Sequence, residues 1–382
     1  MSTLLRHLAR RAFMMLVVWL TGLTSYLTAN AQIDTKATAE TKALYANLKR
    51  VSKQGVMFGH QDDLAYGVNW KYEPGRSDVR DVVGEYPAVF GWDMARIEFD
   101  SLNQIDGVPF EKQRQYVQQV YAQGGVNTFS WHLNNPVDPL KTSWDKQDST
   151  IRHLFDDRKA MRRYKSWLKK AATYLKSMKG PNGEAIPLIV RPFHEHTGSW
   201  FWWGRGHCSP AEYVKLWRFT VDYFRKKKVH NLIYAYSTDK FSSRDDYMER
   251  YPGDDYVDLV GFDIYHRPSP KDTTNRFVIE TRTMVETLRS IGQERGKVWA
   301  ITETGLELIP SANWWTNTLL PIVKDAGLSY VLVWRNGRPN HYYAPYPGQV
   351  SAENFKAFTA DPQILLQKKA QAATLYKPVV AN

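Results

Sequence analysis

The sequence predicts an α/β protein built as a single (β/α)8 barrel, the TIM barrel, in which eight parallel strands alternate with helices. Eight short apolar segments recur at helix-sized intervals. Each segment is a near-continuous apolar run, as expected of strands that are buried on both faces of a parallel sheet. The predicted strands span residues 55–59, 87–92, 125–131, 186–190, 231–236, 257–264, 297–302 and 329–334.

Amphipathic helices are predicted between these strands. From residue 157 to residue 178, apolar side chains recur every three or four positions, which is the spacing of one buried stripe. A second helix is expected to begin after Ser209, because Ser209, Pro210 and Glu212 supply an N-cap, a first-turn proline and the acidic partner of a capping box. A third helix is predicted over residues 276–291.

The first 31 residues are expected to lie outside this fold. Three arginines precede an apolar stretch from residue 12 to residue 27, and Ala29-Asn30-Ala31 supplies a small-residue cleavage pattern before Gln32. We therefore predict a secretory signal peptide over residues 1–31 and a barrel domain over residues 32–382, exported to a periplasm or secreted. The alternative, an uncleaved membrane anchor, is disfavoured because polar residues interrupt a run that is already short for spanning a bilayer.

Composition and charge exclude several classes of protein. The 382 residues are 43% hydrophobic and 24% charged, with one cysteine, which excludes a disulfide scaffold and a disordered chain. Cys208 is expected to be a small buried side chain. The formal net charge is +12, but the basic residues are spread among the predicted helices, so we expect no nucleic-acid partner. We also expect a monomer with no membrane partner after cleavage of the signal peptide.

Polar and aromatic residues follow the predicted strands at their carboxyl ends, where barrel enzymes assemble their active sites. Glu195 and Glu303 follow the fourth and seventh strands, and glycoside hydrolysis needs such a pair of carboxyl groups. The flat faces of tryptophan rings suit the C–H faces of sugars, and polar side chains suit their hydroxyls. The other strand-end residues are His60, Gln61, Asp62, Trp92, Asp93, Trp131, His132, His194, His196, Asp263, Tyr265, His266, Trp334, Arg335 and Asn336.

Residues 191–204, with the sequence RPFHEHTGSWFWWG, resemble the acid/base signature of glycoside hydrolase family 26, whose best-known members are endo-β-1,4-mannanases. Residues 130–136, 262–265, 302–305 and 333–336 resemble the same family in order and spacing, and the resemblance extends from about residue 60 to residue 343. It implies a retaining β-mannanase that needs no cofactor and acts on mannan, galactomannan or manno-oligosaccharides.

The resemblance also implies roles for individual residues. Glu195 would be the general acid/base, Glu303 the nucleophile, and Tyr265 a hydrogen-bond donor to that nucleophile. His196 departs from the family pattern, so its role stays open. In subsite numbering the bond between −1 and +1 is cleaved, and the glycone side carries negative numbers. The expected sugar-binding residues are His194 and Trp334 at −1, Trp200 at +1, and His132, Arg335 and Trp144 on the glycone side.

A retaining mechanism makes two physical demands on this pair. Glu303 must be ionised while Glu195 is protonated, so the pKa of Glu195 should be raised by burial and by the charge of Glu303. The two carboxyl groups should lie about 5–5.5 Å apart.

Three alternatives remain open. The histidines could hold a catalytic metal, but the sequence contains no helical zinc motif or evident carboxylate cluster to complete the ligands, so no metal site is predicted. A glycan-binding barrel without activity would not need both Glu195 and Glu303. Within the family, a β-1,4-xylanase or a mixed-linkage β-glucanase differs from a mannanase only in loop geometry. The choice between internal and chain-end cleavage depends on the loop over residues 140–156.

Overall fold

The computed structural model describes residues 32–268 and 275–379, and these form the predicted (β/α)8 barrel. The predicted signal peptide, residues 1–31, lies outside the described residues. No helix in the described ranges is long and apolar enough to cross a bilayer. The barrel strands are β1 (Val56–Gln61), β2 (Val89–Asp93), β3 (Val126–Ser130), β4 (Leu188–Arg191), β5 (Leu232–Thr238), β6 (Leu259–Tyr265), β7 (Val298–Gly305) and β8 (Tyr330–Val333).

Every barrel strand pairs in parallel with its neighbour in sequence, and β1 pairs with β8 to close the sheet. At the seam, Met57 lies opposite Tyr330 and His60 opposite Val333. A short strand, Ile364–Leu365, also pairs with the start of β1. A separate hairpin, Tyr66–Gly67 with Trp70–Lys71, follows β1 on the carboxyl side of the barrel.

Helices connect the strands, and the three predicted helices are confirmed. Ser209 caps its helix in a complete capping box with Glu212. The helix that precedes β4, Arg158–Lys176, is capped by Asp157, whose side chain accepts a hydrogen bond from the backbone N–H of Lys159. The α-helices span Ala39–Val51, Asp78–Val83, Phe110–Ala122, Thr150–Asp156, Arg158–Lys176, Pro210–Lys226, Arg244–Met248, Arg276–Arg295, Leu320–Val323, Ala352–Ala360 and Gln367–Ala372.

The core has two layers. One apolar cluster takes a residue from every barrel strand and also contains Leu44 and Leu48 of the helix Ala39–Val51, so it fills the barrel interior with that helix packed against it. A second and larger cluster lies between the strands and the surrounding helices. Burying both faces of the strands in this way explains why their sequences are apolar without alternation.

Strand β7 continues beyond its predicted end at residue 302, which corrects the expected position of Glu303. The register between β6 and β7 shifts by one residue: Phe262 pairs with Ile301, whereas Asp263 pairs with Glu303. Thr302 is the extra residue of this bulge, and pairing then continues to Tyr265 and Gly305. Glu303 therefore lies within the strand, directly opposite Asp263, rather than in a loop after it.

Candidate active site

The turn after β4 carries Glu195 in a strained backbone conformation. Phe193 and Glu195 have φ angles of 52° and 53°, in the left-handed region that residues with a side chain rarely adopt. Hydrogen bonds hold this turn: the Glu195 N–H donates to the carbonyl of Ser237 at 3.0 Å, and Gly198 donates to the carbonyl of Glu195 at 3.0 Å. Strain of this kind persists where the surrounding structure fixes it, and it is common at functional sites.

The Glu195 carboxyl group has one hydrogen-bond donor from the described side chains, the indole N–H of Trp200, at 2.7 Å. Burial raises the pKa of Glu195 well above its ordinary value, and the negative charges of Asp263 and Glu303 raise it further. The expected direction of this shift is confirmed. The larger charge effect, from Asp263, was not anticipated from the sequence.

Glu303 is buried and receives two hydrogen bonds, one on each oxygen. The guanidinium of Arg191 donates to Oε1, and the hydroxyl of Tyr265 donates to Oε2 at 2.9 Å. Burial and the charge of Asp263 raise the pKa of Glu303 to about 7, while Arg191 acts in the opposite direction. The two donors favour the ionised form of Glu303. Among the described residues, a cation pairs with Glu303 but not with Glu195.

Arg191 and Asp263 form a buried pair behind Glu303 that sequence analysis missed. Arg191 donates to both oxygens of Asp263, at 3.2 and 3.0 Å. Asp263 also accepts hydrogen bonds from the hydroxyls of Ser237 at 2.9 Å and Thr302 at 2.6 Å. The available signal was that a charged Arg191 ends the otherwise apolar strand β4, in line with Asp263 at the end of β6.

His132 and His194 meet edge to face, with ring centroids 4.7 Å apart. The Nδ1 atom of His132 lies 2.6 Å from Asp93, and this carboxylate raises the pKa of His132 although burial lowers it. Burial lowers the pKa of His194 well below its ordinary value, and the positive charges of His132 and Arg191 add to that effect. The pKa values of the two histidines are therefore shifted in opposite directions, upward for His132 and downward for His194.

Aromatic rings extend the site from His132. Trp144 stacks on His132 with centroids 4.8 Å apart and planes inclined by 17°. The ring centroid of Trp334 lies 6.4 Å from that of His132, and Trp334 is partly exposed. Arg335, next in the chain, pairs with Asp106 at 3.1 Å. The structure therefore brings together the predicted residues on the β3, β4 and β8 side.

His196 does not line this cluster. Its side chain is fully buried between Tyr213 and Tyr236, with ring centroids at 4.3 and 4.7 Å. Burial lowers the pKa of His196 well below its ordinary value, as do the charges of Arg250 and Arg205. His196 is therefore a neutral core residue behind the turn.

A carboxylate and histidine cluster does exist, which corrects the expectation that no such group would assemble. His194, Asp263 and Glu303 each place a potential ligand atom within 4.8 Å of the others. The guanidinium of Arg191, however, hydrogen-bonds both carboxylates. It supplies the positive charge that a metal ion would otherwise provide, so the donor set does not fit a resident metal.

Comparison with known proteins identifies the family. The family model for glycosyl hydrolase family 26 matches residues 33–305. The chain belongs to glycosyl hydrolase family 26. The family 26 β-mannanase of Bacteroides ovatus, a solved structure, is 44% identical and superposes with a TM-score of 0.85 over 89% of this chain and 98% of its own. A modular endo-β-1,4-mannanase of Cellulomonas fimi is 33% identical, with a TM-score of 0.82 over 92% of this chain and 80% of that structure.

Curated relatives are named for the hydrolysis of mannan. The mannan endo-1,4-β-mannosidase of Bifidobacterium adolescentis is 35% identical over 284 residues, which are 71% of this chain and 27% of that protein. The chain spans about half the length of the next two curated relatives, at 47% and 52%.

Proposed function

We propose that this family 26 chain is a retaining β-mannanase that hydrolyses β-1,4-mannosidic bonds, with Glu195 as acid/base and Glu303 as nucleophile. The supporting observation is the asymmetry between the two glutamates. Glu303 is hydrogen-bonded by a cation and a phenol, whereas Glu195 has an indole donor and a pKa raised by burial and by the charges of Asp263 and Glu303. Glu303 is thus suited to act as the nucleophile, and Glu195 is suited to donate a proton.

The first step of the mechanism forms a glycosyl-enzyme. A Glu303 oxygen attacks the anomeric carbon while Glu195 transfers its proton to the departing glycosidic oxygen. As the new ester forms, the negative charge of Glu303 disappears. Tyr265 and Arg191 hold the carboxylate in place for this attack, and we expect the two carboxyl groups to lie about 5–5.5 Å apart.

The second step releases the sugar with its configuration retained. Loss of the Glu303 charge removes one cause of the raised pKa of Glu195. The pKa of Glu195 therefore falls, and the ionised Glu195 can act as a base toward water. The water oxygen attacks the anomeric carbon while Glu195 takes the water proton, and the ester bond to Glu303 breaks. Glu303 is then ionised and Glu195 protonated, as at the start. One residue therefore serves in both steps.

Sugar binding is assigned to the aromatic and histidine side chains around this pair. Trp334 and His194 would hold the −1 sugar, and Trp200 lies on the leaving-group side because its indole contacts Glu195. His132, with Trp144 stacked on it, would line the glycone side with Arg335. Mannan is proposed as the substrate because the similar proteins are named for mannan hydrolysis.

The decisive experiment combines product analysis with substitution of the two glutamates. The unaltered chain should release manno-oligosaccharides from linear mannan and galactomannan, and should act on xylan or mixed-linkage glucan at a small fraction of that rate. Glu195→Ala and Glu303→Ala should each lower turnover by several powers of ten, whereas Glu353→Ala, at an exposed helix position, should not.

Azide distinguishes the two roles. With an activated aryl mannoside, azide should rescue Glu195→Ala and give a β-mannosyl azide, because it attacks the glycosyl-enzyme from the face opposite Glu303. An α-mannosyl azide from that variant would overturn the role assignment. Efficient cleavage of xylan in place of mannan would overturn the substrate assignment but not the roles of the two glutamates.

Export is a separate proposal. We propose that residues 1–31 are removed as a signal peptide and that the mature chain is a monomer. The support is that Gln32 and Ile33 already belong to the barrel: Gln32 donates to the carbonyl of Leu232 at 2.9 Å, and the Ile33 N–H donates to Asp258 at 2.8 Å. Intact mass and N-terminal sequencing after expression in a double-membrane bacterium test the cleavage site, and light scattering tests the monomer.

A further inference from the structure

A cavity of about 420 Å³ lies beside Arg335, outside the cluster around the two glutamates. One wall is the hairpin that contains Tyr66, Trp70 and Lys71, and the other is the turn after β8 that contains Arg338. Asp106 and Arg335 also line the cavity. We call this cavity the hairpin pocket.

The aromatic wall of the hairpin pocket is held by hydrogen bonds. Trp70 is 5% exposed, and its indole N–H donates to Asp78 at 2.7 Å. The hydroxyl of Tyr66 donates to the buried Asp62 at 2.7 Å. Because these rings are fixed before any ligand arrives, the pocket has the form of a preorganised binding site.

The charges in the hairpin pocket do not balance. Arg335 pairs with Asp106 at 3.1 Å, which accounts for one cation and one anion. In the described ranges, neither Lys71 nor Arg338 forms an ion pair with a carboxylate. Arg338 donates to the side-chain amide oxygen of Asn340 at 2.9 Å, and the Lys71 ammonium lies over the ring of Tyr72, 4.8 Å from its centroid. Behind the wall, burial and the neighbouring charge of Asp106 raise the pKa of Asp62 to about 8, so Asp62 offers little negative charge at neutral pH. Two cations therefore remain without a counter-charge.

We propose that the hairpin pocket is a glycone-side subsite for a sugar unit that carries a carboxylate. This inference rests on the proposed function, because Arg335 links the pocket to the glycone side of the cleavage point. A uronic acid carboxylate can accept charge-assisted hydrogen bonds from Lys71 and Arg338. The sugar ring would lie against the rigid aromatic wall, and Asp106 would accept hydrogen bonds from its hydroxyls.

Binding of free monosaccharides tests this proposal without hydrolysis. The probes are D-glucuronate and D-glucose, which differ by the carboxylate, and the reporter is the ¹⁵N-labelled indole N–H of Trp70, assigned with Trp70→Phe. At low ionic strength, glucuronate should shift this signal with a Kd at least tenfold lower than that of glucose. High salt should reduce the difference, because exposed charges are screened.

Charge-neutral variants localise the effect. Lys71→Met with Arg338→Met should abolish the preference for glucuronate, whereas Lys226→Met with Lys227→Met removes two cations far from the pocket and should preserve it. Equal binding of glucose and glucuronate would overturn the carboxylate specificity, and absence of binding by both sugars would overturn the subsite. Hydrolysis of neutral mannan by the unaltered chain is measured separately, so its failure, which concerns the proposed function, is distinguishable from either result.

Discussion

At the residue scale, the environment of each glutamate is set by a few specific donors. Glu303 lies between a guanidinium and a phenol, and Glu195 lies under an indole. Both side chains are glutamates in the same site, so their chemical difference has to come from these partners. Two substitutions separate the contributions of Tyr265 and Arg191.

Tyr265→Phe removes one hydrogen bond that favours the ionised form of Glu303 and leaves the ring in place. Since a hydrogen bond to a charged group contributes about 1.5–3 kcal/mol, kcat/KM should fall about 10- to 100-fold. The pKa of Glu303 should rise, so the acidic limb of the pH profile of kcat/KM should move to higher pH. Tyr343→Phe, on the ring that packs edge to face against Tyr265, is the control, and an equal loss there would contradict the assigned contact.

Arg191→Met leaves Asp263 and Glu303 buried without their cation. Breaking a buried ion pair in this way costs about 3–5 kcal/mol of the free energy of unfolding, measurable by urea denaturation. Arg191 lowers the pKa of Glu303, so its loss should move the acidic limb upward and reduce kcat/KM at least about 100-fold at neutral pH. An unchanged acidic limb would show that Arg191 is only structural, since stability alone does not move a pKa.

At the element scale, a single bulge decides which side chains face each other. The extra residue Thr302 in β7 places Glu303 opposite Asp263. A one-residue change of register turns every following side chain to the other face of a strand. The bulge therefore brings Glu303 to the guanidinium of Arg191, and the Thr302 hydroxyl fixes it by donating to Asp263 at 2.6 Å.

The helix after β4 offers a test of an element that stabilises the barrel without touching substrate. Ser209→Ala removes the N-cap of the helix Pro210–Lys226 and should lower the free energy of unfolding by about 1 kcal/mol. Ser209→Gly should cost only about a few tenths of that amount. Urea midpoints measure both, and kcat/KM on mannan should not change in either variant, so a loss of activity would place the helix start in the site.

At the scale of the whole molecule, the candidate active site lowers the stability of the fold, and interactions elsewhere in the barrel offset that cost. The pKa values of Glu195 and Glu303 are both raised, so the folded chain releases these protons less readily than the unfolded chain. Below the ordinary glutamate pKa, both groups are protonated in the folded and the unfolded chain and cost no stability. As the pH rises from there through the folded-state pKa values, the free energy of unfolding falls.

Glu195→Gln should expose this cost directly. The amide oxygen of glutamine can still accept the Trp200 hydrogen bond, but it never becomes charged. Calorimetry should therefore give a higher Tm for Glu195→Gln than for the unaltered chain at pH 8, and equal values near pH 4, together with loss of turnover. The exposed substitution Glu353→Gln should leave Tm unchanged, and a lower Tm for Glu195→Gln at pH 8 would contradict the explanation.

The amino-acid sequence by itself determined the strand and helix order, because burial on both faces leaves continuous apolar runs and the capping residues of helices act locally. Strand ends meet at one rim of a barrel, and this geometry singled out Glu195 and Glu303. The resemblance to glycoside hydrolase family 26 added the role of Tyr265. Only the tertiary structure decided that Arg191 and Asp263 support Glu303 and that His196 is buried behind the turn. These depend on the register of neighbouring strands and on the direction of a strained turn, and both are set by contacts between residues far apart in the chain.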